Sequence, residues 1–170
     1  DCRRVHAYER IAGEGVGFKC LQHALNPERI LIAAESVGLG RAALAKAAAY
    51  AGERVVFGRP IGQNQAIQHP LAKAWAALEA ADLMVFKAAA LYDAGEPCGL
   101  EANAAKYLAA EAAFEACETA VLVHAGMVYA QEYDVERYMR EAMIPRIAPV
   151  SREMILSFIA EKALGLPKSY

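Results

Sequence analysis

The chain has 170 residues, a length typical of one domain, and its 18 Lys and Arg residues nearly balance its 20 Asp and Glu residues. The resulting net charge of −2 argues against a nucleic-acid-binding module and against a polybasic membrane anchor, because both need a basic surface. Much of the 56% hydrophobic content is alanine, and only 12 Gly and 7 Pro are present, which favours long helices over a β-sandwich.

Cysteine usage and hydropathy indicate a cytoplasmic protein. The cysteines form no CxxC pair and have no zinc-ligand spacing, so we expect free thiols at Cys2, Cys20, Cys98 and Cys117. The most apolar stretch, residues 120–130, is too short to span a bilayer, and no signal-peptide pattern is evident. Because residue 1 is Asp rather than Met, we expect a piece of a larger protein.

The amino-terminal quarter contains the first predicted boundary. Residues 1–24 are punctuated by glycines and have no helical period, which predicts an extended connector before a helical domain over residues 25–170. Asn26 suits an N-cap and Pro27 suits the first helical position. The first helix is therefore predicted from this point to about Arg54.

The later helices are separated by clear breaks. Residues 55–63 have loop chemistry, and a Gly95–Pro97 stop follows the second helix. Further helices are predicted over residues 65–94, 100–128, 133–142 and 150–164, with a turn between Pro145 and Pro149. Short connections make consecutive helices antiparallel neighbours. The sequence therefore predicts an all-α, up-down antiparallel four-helix bundle.

Several kinds of catalytic site find no support in the sequence. No histidine follows a glutamate by three positions, so a di-metal carboxylate site is not expected. His124, on an apolar helix, is interpreted as a hydrogen-bonded core or interface histidine. No serine lies in a nucleophile elbow, and neither GxGxxG nor a Walker motif is present.

One string, residues 53–65 (ERVVFGRPIGQNQ), concentrates functional residue types at a single helix–helix corner. Arg54 could pair with a phosphate through its planar guanidinium, and Phe57 could pack on a flat ring. On physical grounds alone, a capped corner with a solvated arginine is the favoured interpretation of the string.

The same string resembles the ERxxFGxxIxxxQ signature of the acyl-CoA dehydrogenases. Residues 133–142 (YDVERYMREA) are similar to that family's YPVERYYRDA, and residues 13–18 and 25–29 resemble the segments that lead into its C-terminal domain. Asp93–Gly95 and Lys106 match in context. The resemblance covers about residues 10–164, with the motifs in the family's order.

This resemblance implies a fold and a set of partners. The complete enzymes have a helical domain, a β-domain and a C-terminal bundle, so residues 1–24 would connect the bundle to a missing β-domain. FAD and an acyl-CoA thioester would lie between the β-domain and the bundle. Arg54 would reach the FAD pyrophosphate of a neighbouring subunit, and Phe57, Gln65 and Gly126 would also face FAD. A homo-oligomer (dimer or tetramer), an electron-transfer flavoprotein and a role in fatty acid metabolism are implied.

The resemblance also implies the reaction, an α,β-dehydrogenation in which a carboxylate removes the α proton and the flavin accepts a hydride. Such a base must be desolvated to match a weak carbon acid.

Most members carry it in a loop where this chain has Pro149, whereas a minority carry it at the position of Glu28, our candidate base. Arg29 is the candidate substrate-binding residue. The alternative for Glu28 is an ordinary first-turn residue that stabilises the helix dipole. Glu35, seven residues on, is interpreted as a buried or interface residue.

A second departure leaves another function open. The family's Gln-x-x-Gly-Gly-x-Gly stretch corresponds to residues 122–128, where Leu122 replaces the glutamine and Val128 the last glycine. A non-catalytic or half-site subunit of a heteromeric dehydrogenase, paired with a sister subunit, is therefore the alternative. In either case the isolated 170 residues are predicted to be inactive and to act only as an oligomerisation bundle.

Overall fold

Helices form most of the chain in the computed structural model, which describes residue 4 and residues 6–169, the side chain of residue 22 excepted. In chain order the elements are α1 (Gly17–Glu53), β1 (Val55–Val56), β2 (Arg59–Pro60), α2 (Gln65–Asp93), α3 (Gly99–His124), α4 (Val135–Glu141), α5 (Ile144–Ile147) and α6 (Arg152–Leu164). Single 3₁₀ turns lie at Ala7–Glu9, Ile61–Gln63, Ala125–Tyr129 and Gln131–Tyr133.

The central element of the bundle is α3, which packs against α1, α2 and α6. Its buried positions cover a broad arc rather than a narrow stripe, and Leu108, Glu118 and Leu122 are exposed on the opposite side. The core is built mainly from alanines, among them Ala33, Ala43, Ala47, Ala74, Ala81, Ala102, Ala105, Ala109, Ala113 and Ala116. The predicted all-α, up-down four-helix bundle of α1, α2, α3 and α6 is confirmed.

Small side chains allow these helices to approach closely. A Cβ atom built on Gly40 of α1 would lie 2.6 Å from Leu78 Cδ2 of α2 and 3.1 Å from Ala113 Cα of α3. Because real carbon atoms do not approach this closely, Gly40 marks the tightest crossing of α1 with its two partners. The spacing of the three long helices thus depends on the absence of a side chain here.

Local capping explains where several elements begin and end. Gly95 has φ +71° and follows α2, where Glu96 N–H donates to the Leu91 carbonyl at 2.9 Å. Ser151 caps α6 by accepting a hydrogen bond from Met154 N–H at 3.4 Å. Gly165, with φ +66°, ends α6 at the predicted position.

The prediction for the start of the first helix was wrong. α1 begins at Gly17, so Pro27 lies inside the helix rather than at its first position. Proline removes only one backbone donor from the ladder, and residues before it in the helix, such as Lys19 and Leu21, are ordinary helix formers. The assignment of residues 1–24 to a connector stays a prediction, but residues 17–24 of that segment are helical.

Three smaller differences concern connections. A two-residue hairpin, β1 with β2, occupies part of the predicted loop 55–63. α3 ends at His124 and continues as a 3₁₀ turn, because Ala125 adopts φ 48° and ψ −127°, which no helix can contain. Between the two prolines, the predicted turn is the one-turn helix α5, with Pro145 in its first turn.

Thiol and membrane expectations can be examined over the described residues. Cys20, Cys98 and Cys117 are free thiols as predicted, whereas Cys2 lies outside the described part of the chain. Burial, with a smaller contribution from Glu141, raises the pKa of the Cys117 thiol to about 12, which makes it unreactive. Among the described residues, no helix has both the length and the apolar composition needed to cross a membrane.

Candidate functional site

The signature string folds into a tight corner between α1 and α2. Val55 pairs with Pro60 and Val56 with Arg59, and the two residues at the tip have positive φ values, 53° at Phe57 and 79° at Gly58. Two consecutive left-handed residues are the mark of a type I′ hairpin, whose twist matches that of the strands. The corner closes where Ile61 N–H donates to the Arg54 carbonyl at 2.9 Å.

This corner presents the predicted cofactor-binding side chains outward. Phe57 is fully exposed at the tip, Arg54 is exposed directly after α1, and Gln65 is exposed as the first residue of α2. Within the described part of the chain, no acidic side chain pairs with Arg54. An unpaired guanidinium beside a bare aromatic ring suits a phosphate and a flat ring supplied from outside the chain.

The stretch after α3 lies at the same end of the bundle. His124 is 1% exposed, its Nδ1 lies 2.7 Å from the Ala120 carbonyl, and its ring stacks on Tyr50 at 4.5 Å between centroids. Tyr50 lies in the last turn of α1, just before Arg54. The prediction of a hydrogen-bonded core histidine is confirmed, and its stacking packs the end of α3 against the last turn of α1.

Gly126 follows this histidine and is exposed, with nothing within 4 Å of where a Cβ would lie. Leu122 is 72% exposed, and Val128 is partly buried against the core. We call the surface made by residues 54–65 and 122–128 the hairpin end. Its features fit a cofactor that covers it from outside, although Leu122 offers no polar group to such a ligand.

Glu28 and Arg29 lie in the other half of α1 and point in different directions. Glu28 is exposed, whereas Arg29 is 8% exposed and donates from Nη1 to Asn26 Oδ1 at 3.3 Å. Arg29 Nε is buried and has no hydrogen-bond partner. Burial lowers the pKa of the Arg29 guanidinium, and the neighbouring Glu28 carboxylate partly opposes that shift. Because α1 begins at Gly17, Glu28 is not a first-turn residue, and the helix-dipole interpretation of it was wrong.

Lys106 of α3 lies near Arg29 and was given no role from the sequence. It is 1% exposed, and its Nζ donates to the Val150 carbonyl at 2.6 Å. Burial, with a smaller contribution from repulsion by Arg29, lowers the pKa of Lys106 to about 8, and Glu111 and Glu153 partly oppose the shift. The sequence pattern could have indicated its burial, because Lys106 falls at helical spacing among the apolar positions Ala102, Ala105 and Ala109 of α3.

The segment that receives this hydrogen bond joins α5 to α6. Its amino-terminal side is held by Arg146, whose guanidinium makes two hydrogen bonds to Glu111, at 2.8 and 3.2 Å, and stacks 4.2 Å above Phe114. Pro149 is also in this segment. We call the region of Arg29, Lys106 and residues 148–151 the cation end.

The structure therefore does not bring all predicted site residues together. Arg54, Phe57, Gln65 and Gly126 belong to the hairpin end, whereas Glu28 and Arg29 belong to the cation end. At a rise of 1.5 Å per residue, Glu28 and Arg54 are about 39 Å apart along α1. Glu35 is exposed on α1, so its predicted burial within the chain is not found.

Two other features of the described residues add no candidate site. A pocket of about 450 Å³ opens beside Asn26 and is lined by His23, Tyr92, Glu96 and Cys98, but neither Glu28 nor Arg29 lines it. Over the part of the chain that the structure describes, no three His, Cys, Asp or Glu side chains converge as metal ligands would. The exposed face of α1 at Glu28, rather than this pocket, is the candidate reaction site.

Comparison with known proteins agrees with the motifs. The family model "Acyl-CoA dehydrogenase, C-terminal domain" matches residues 15–164. Acyl-CoA dehydrogenase FadE12 of Mycobacterium tuberculosis is 46% identical over 172 residues, covering 100% of this chain and 44% of that protein. Butyryl-CoA dehydrogenase from Megasphaera elsdenii has a TM-score of 0.88 at 36% identity, covering 95% of this chain and 42% of that one. The FAD complex of PigA has a TM-score of 0.85 at 28% identity, covering 92% of this chain and 41% of that one.

These matches extend over nearly all of this chain but over less than half the length of each relative. The matched region is the helical C-terminal domain, in agreement with the bundle and with the order of the sequence motifs. The chain belongs to the acyl-CoA dehydrogenase family, and it corresponds to the family's C-terminal domain.

Proposed function

We propose that this chain is the bundle domain of an FAD-dependent acyl-CoA dehydrogenase in which Glu28 removes the α proton of an acyl-CoA thioester. The observation that carries the proposal is the solvent-facing Glu28 of α1, next to buried Arg29, in a chain that has Pro149 where most members carry the base. Proline has no ionisable group, so another carboxylate must accept the proton.

Glu28 has the chemistry for this step once it is covered. A carboxylate taken out of water becomes a stronger base, and a base held against the α carbon needs no diffusion to reach its proton. Arg29 Nε–H has no acceptor among the described residues, and an oxygen of the bound thioester would supply one. When bound, FAD supplies the acceptor for the β hydrogen.

FAD would be held at the hairpin end. The Arg54 guanidinium fits the pyrophosphate, Phe57 and Gln65 fit the faces and edges of the cofactor, and Gly126 leaves room for close approach. The separation of about 39 Å from Glu28 supports an arrangement in which Arg54 serves the cofactor of a neighbouring subunit. The proposal therefore includes a homo-oligomer, a dimer or tetramer, that works in the cytoplasm and passes electrons to an electron-transfer flavoprotein.

A second candidate function rests on residues 122–128. Leu122 is exposed where the resemblance leads to a glutamine, and it offers FAD an apolar side chain in place of an amide. A non-catalytic or half-site subunit, paired with a sister subunit that supplies a complete site, would tolerate this change. A stoichiometry of one flavin per chain in a homo-oligomer would reject this alternative.

The test uses the natural-length protein, purified and assayed for flavin by its visible spectrum. Reduction of the flavin is then followed with butyryl-CoA, a branched acyl-CoA and a long-chain acyl-CoA in turn. Glu28→Gln should lower the rate of reduction by about 10²- to 10⁴-fold, the usual contribution of a general base. Glu35→Gln is the matched control, since Glu35 is also exposed on α1, and should stay within twofold of wild type.

Retention of the wild-type rate by Glu28→Gln would refute the assignment of the base. A protein that binds no FAD even when FAD is added would refute the dehydrogenase and favour the half-site subunit. The chain of 170 residues alone is expected to show no turnover, and measurable turnover by it would contradict its role as only the bundle domain.

A further inference from the structure

Lys106 is the largest fully buried side chain of the bundle, and it is a charged one. Its Nζ makes one described hydrogen bond, the 2.6 Å contact to the Val150 carbonyl, and no carboxylate lies within ion-pair distance of it in the described residues. The nearest opposing charges, Glu111 of α3 and Glu153 of α6, act at longer range, and Arg29 of α1 repels it. A lysine in this setting is costly to bury.

The acceptor of this bond lies in a segment with few other attachments. Ala148 N–H donates to the Ile144 carbonyl at 2.9 Å, and the Ser151 hydroxyl caps α6. Between these two points, Pro149 and Val150 take part in no other hydrogen bond in the described part of the chain. Lys106 is therefore the one described polar tether of the middle of the segment to α3.

The same lysine lies close to the half of α1 that carries the candidate base. Arg29 and Lys106 are near enough for their charges to repel, and Glu28 is the next residue to Arg29. Lys106 therefore bonds the segment 148–151 and also lies near the part of α1 that carries Glu28. A neutral apolar side chain would fill this position at lower cost, so stability alone does not account for a lysine here.

We propose that Lys106 is a positioning residue that holds the segment 148–151 in place as a wall of the reaction site beside Glu28. This inference rests on the proposed function of Glu28 as the base. Its physical basis is that catalysis requires the reacting atoms to be held closely, and a displacement of about 1 Å can cost about 10²-fold in rate.

The experiment compares wild type, Lys106→Met and Lys106→Arg in the natural-length protein, with Lys73→Met as the control. Lys73 is an exposed lysine of α2 paired with Glu115, so its loss should leave both readouts unchanged. The first readout, hydrogen exchange of the Met154 and Ile155 amides, which donate to Ser151 of the segment, needs neither substrate nor flavin. The second is the rate of flavin reduction, separated into kcat and KM over pH 6–10.

For Lys106→Met we expect exchange of these amides to rise at least tenfold and kcat to fall at least tenfold, with KM within threefold. Lys106→Arg, which keeps a charged donor, should recover part of both losses. The fall in wild-type activity above about pH 8, where the ammonium is lost, should be absent in Lys106→Met. Arg29, Glu111 and Glu153 face Lys106 in both proteins and so cannot cause the difference.

Wild-type exchange in Lys106→Met would overturn the tether, and faster exchange with wild-type kcat would overturn the positioning role. If Lys106→Met does not fold, Lys106→Gln, which is neutral and too short to reach Val150, replaces it under the same two criteria. Failure of the proposed function gives a different result: Glu28→Gln would then keep wild-type kcat, whatever the exchange of the Met154 and Ile155 amides.

Discussion

The two ends of the bundle place their functional side chains in opposite environments. At the hairpin end, the side chains of Arg54 and Phe57 are exposed and make no described polar contact with the rest of the chain. At the cation end, Arg29 and Lys106 are buried, and each has a described polar contact, Arg29 with Asn26 of α1 and Lys106 with the Val150 carbonyl. The first end is an open surface for a ligand, and the second is an internal framework.

The difference also concerns the free energy of folding. An exposed arginine loses little hydration, so a hairpin that displays it adds almost no cost to the fold. A buried lysine must give up water for a single carbonyl, which opposes folding at neutral pH. The two ends therefore predict different outcomes: mutations at the hairpin end should change ligand binding, and mutations at the cation end should change the pH dependence of stability.

The largest expected effect is the removal of the Lys106 charge. Its pKa is about 8 in the folded chain and 10.5 unfolded, so between these values the unfolded chain binds more protons and stability rises with pH. The rise amounts to about 3 kcal/mol, at 1.36 kcal/mol per pH unit. In Lys106→Met this contribution is absent, and the variant should be no less stable than wild type at pH 7.

Urea unfolding followed by circular dichroism at pH 7 and pH 10.5 measures this effect. The stability of wild type relative to Lys106→Met should increase by about 3 kcal/mol between the two pH values. Tyrosines and the buried Cys117 also titrate at high pH, but they are common to both proteins and cancel in the difference. A relative stability that does not change with pH would show that Lys106 is solvated.

Arg54→Ala tests the hairpin end, where we expect ligand binding to change and the stability of the fold to stay the same. A charge-assisted hydrogen bond to a phosphate contributes about 1.5–3 kcal/mol, so FAD affinity should fall by about 10- to 150-fold while the stability of the flavin-free protein is unchanged. Arg59→Ala is the matched control, because Arg59 is exposed on the same hairpin and donates to Asn64 Oδ1 at 2.7 Å. Fluorescence titration with FAD gives both affinities, and equal losses in the two variants would remove the special role of Arg54.

The contrast between the ends also explains what could be predicted from the sequence. The later helices were predictable because their caps and stops, such as Gly95 and Gly165, act through neighbours in the chain. The outward corner at Arg54 and Phe57 was predictable from one continuous motif. The tether from Lys106 to Val150 was not, because it joins residues 44 positions apart through a bond that only the packed bundle creates. The start of α1 was missed because Pro27 looks the same locally inside a helix as at its beginning.

The smallest expected effect concerns Ala125 at the hairpin end, whose backbone dihedral angles are ones that alanine disfavours. Its φ of 48° and ψ of −127° belong to a region that glycine occupies readily and alanine does not. Ala125 is exposed, so Ala125→Gly removes no packing and should stabilise the fold by about 1 kcal/mol, the relieved strain exceeding the added entropy of the unfolded chain. Ala80→Gly, at an exposed position inside α2, should instead destabilise by about 1 kcal/mol. Urea unfolding of the two variants should therefore give stability changes of opposite sign. A loss of stability in both variants would mean that the Ala125 backbone bears no strain. The turn after α3 would then be shaped by its contacts alone.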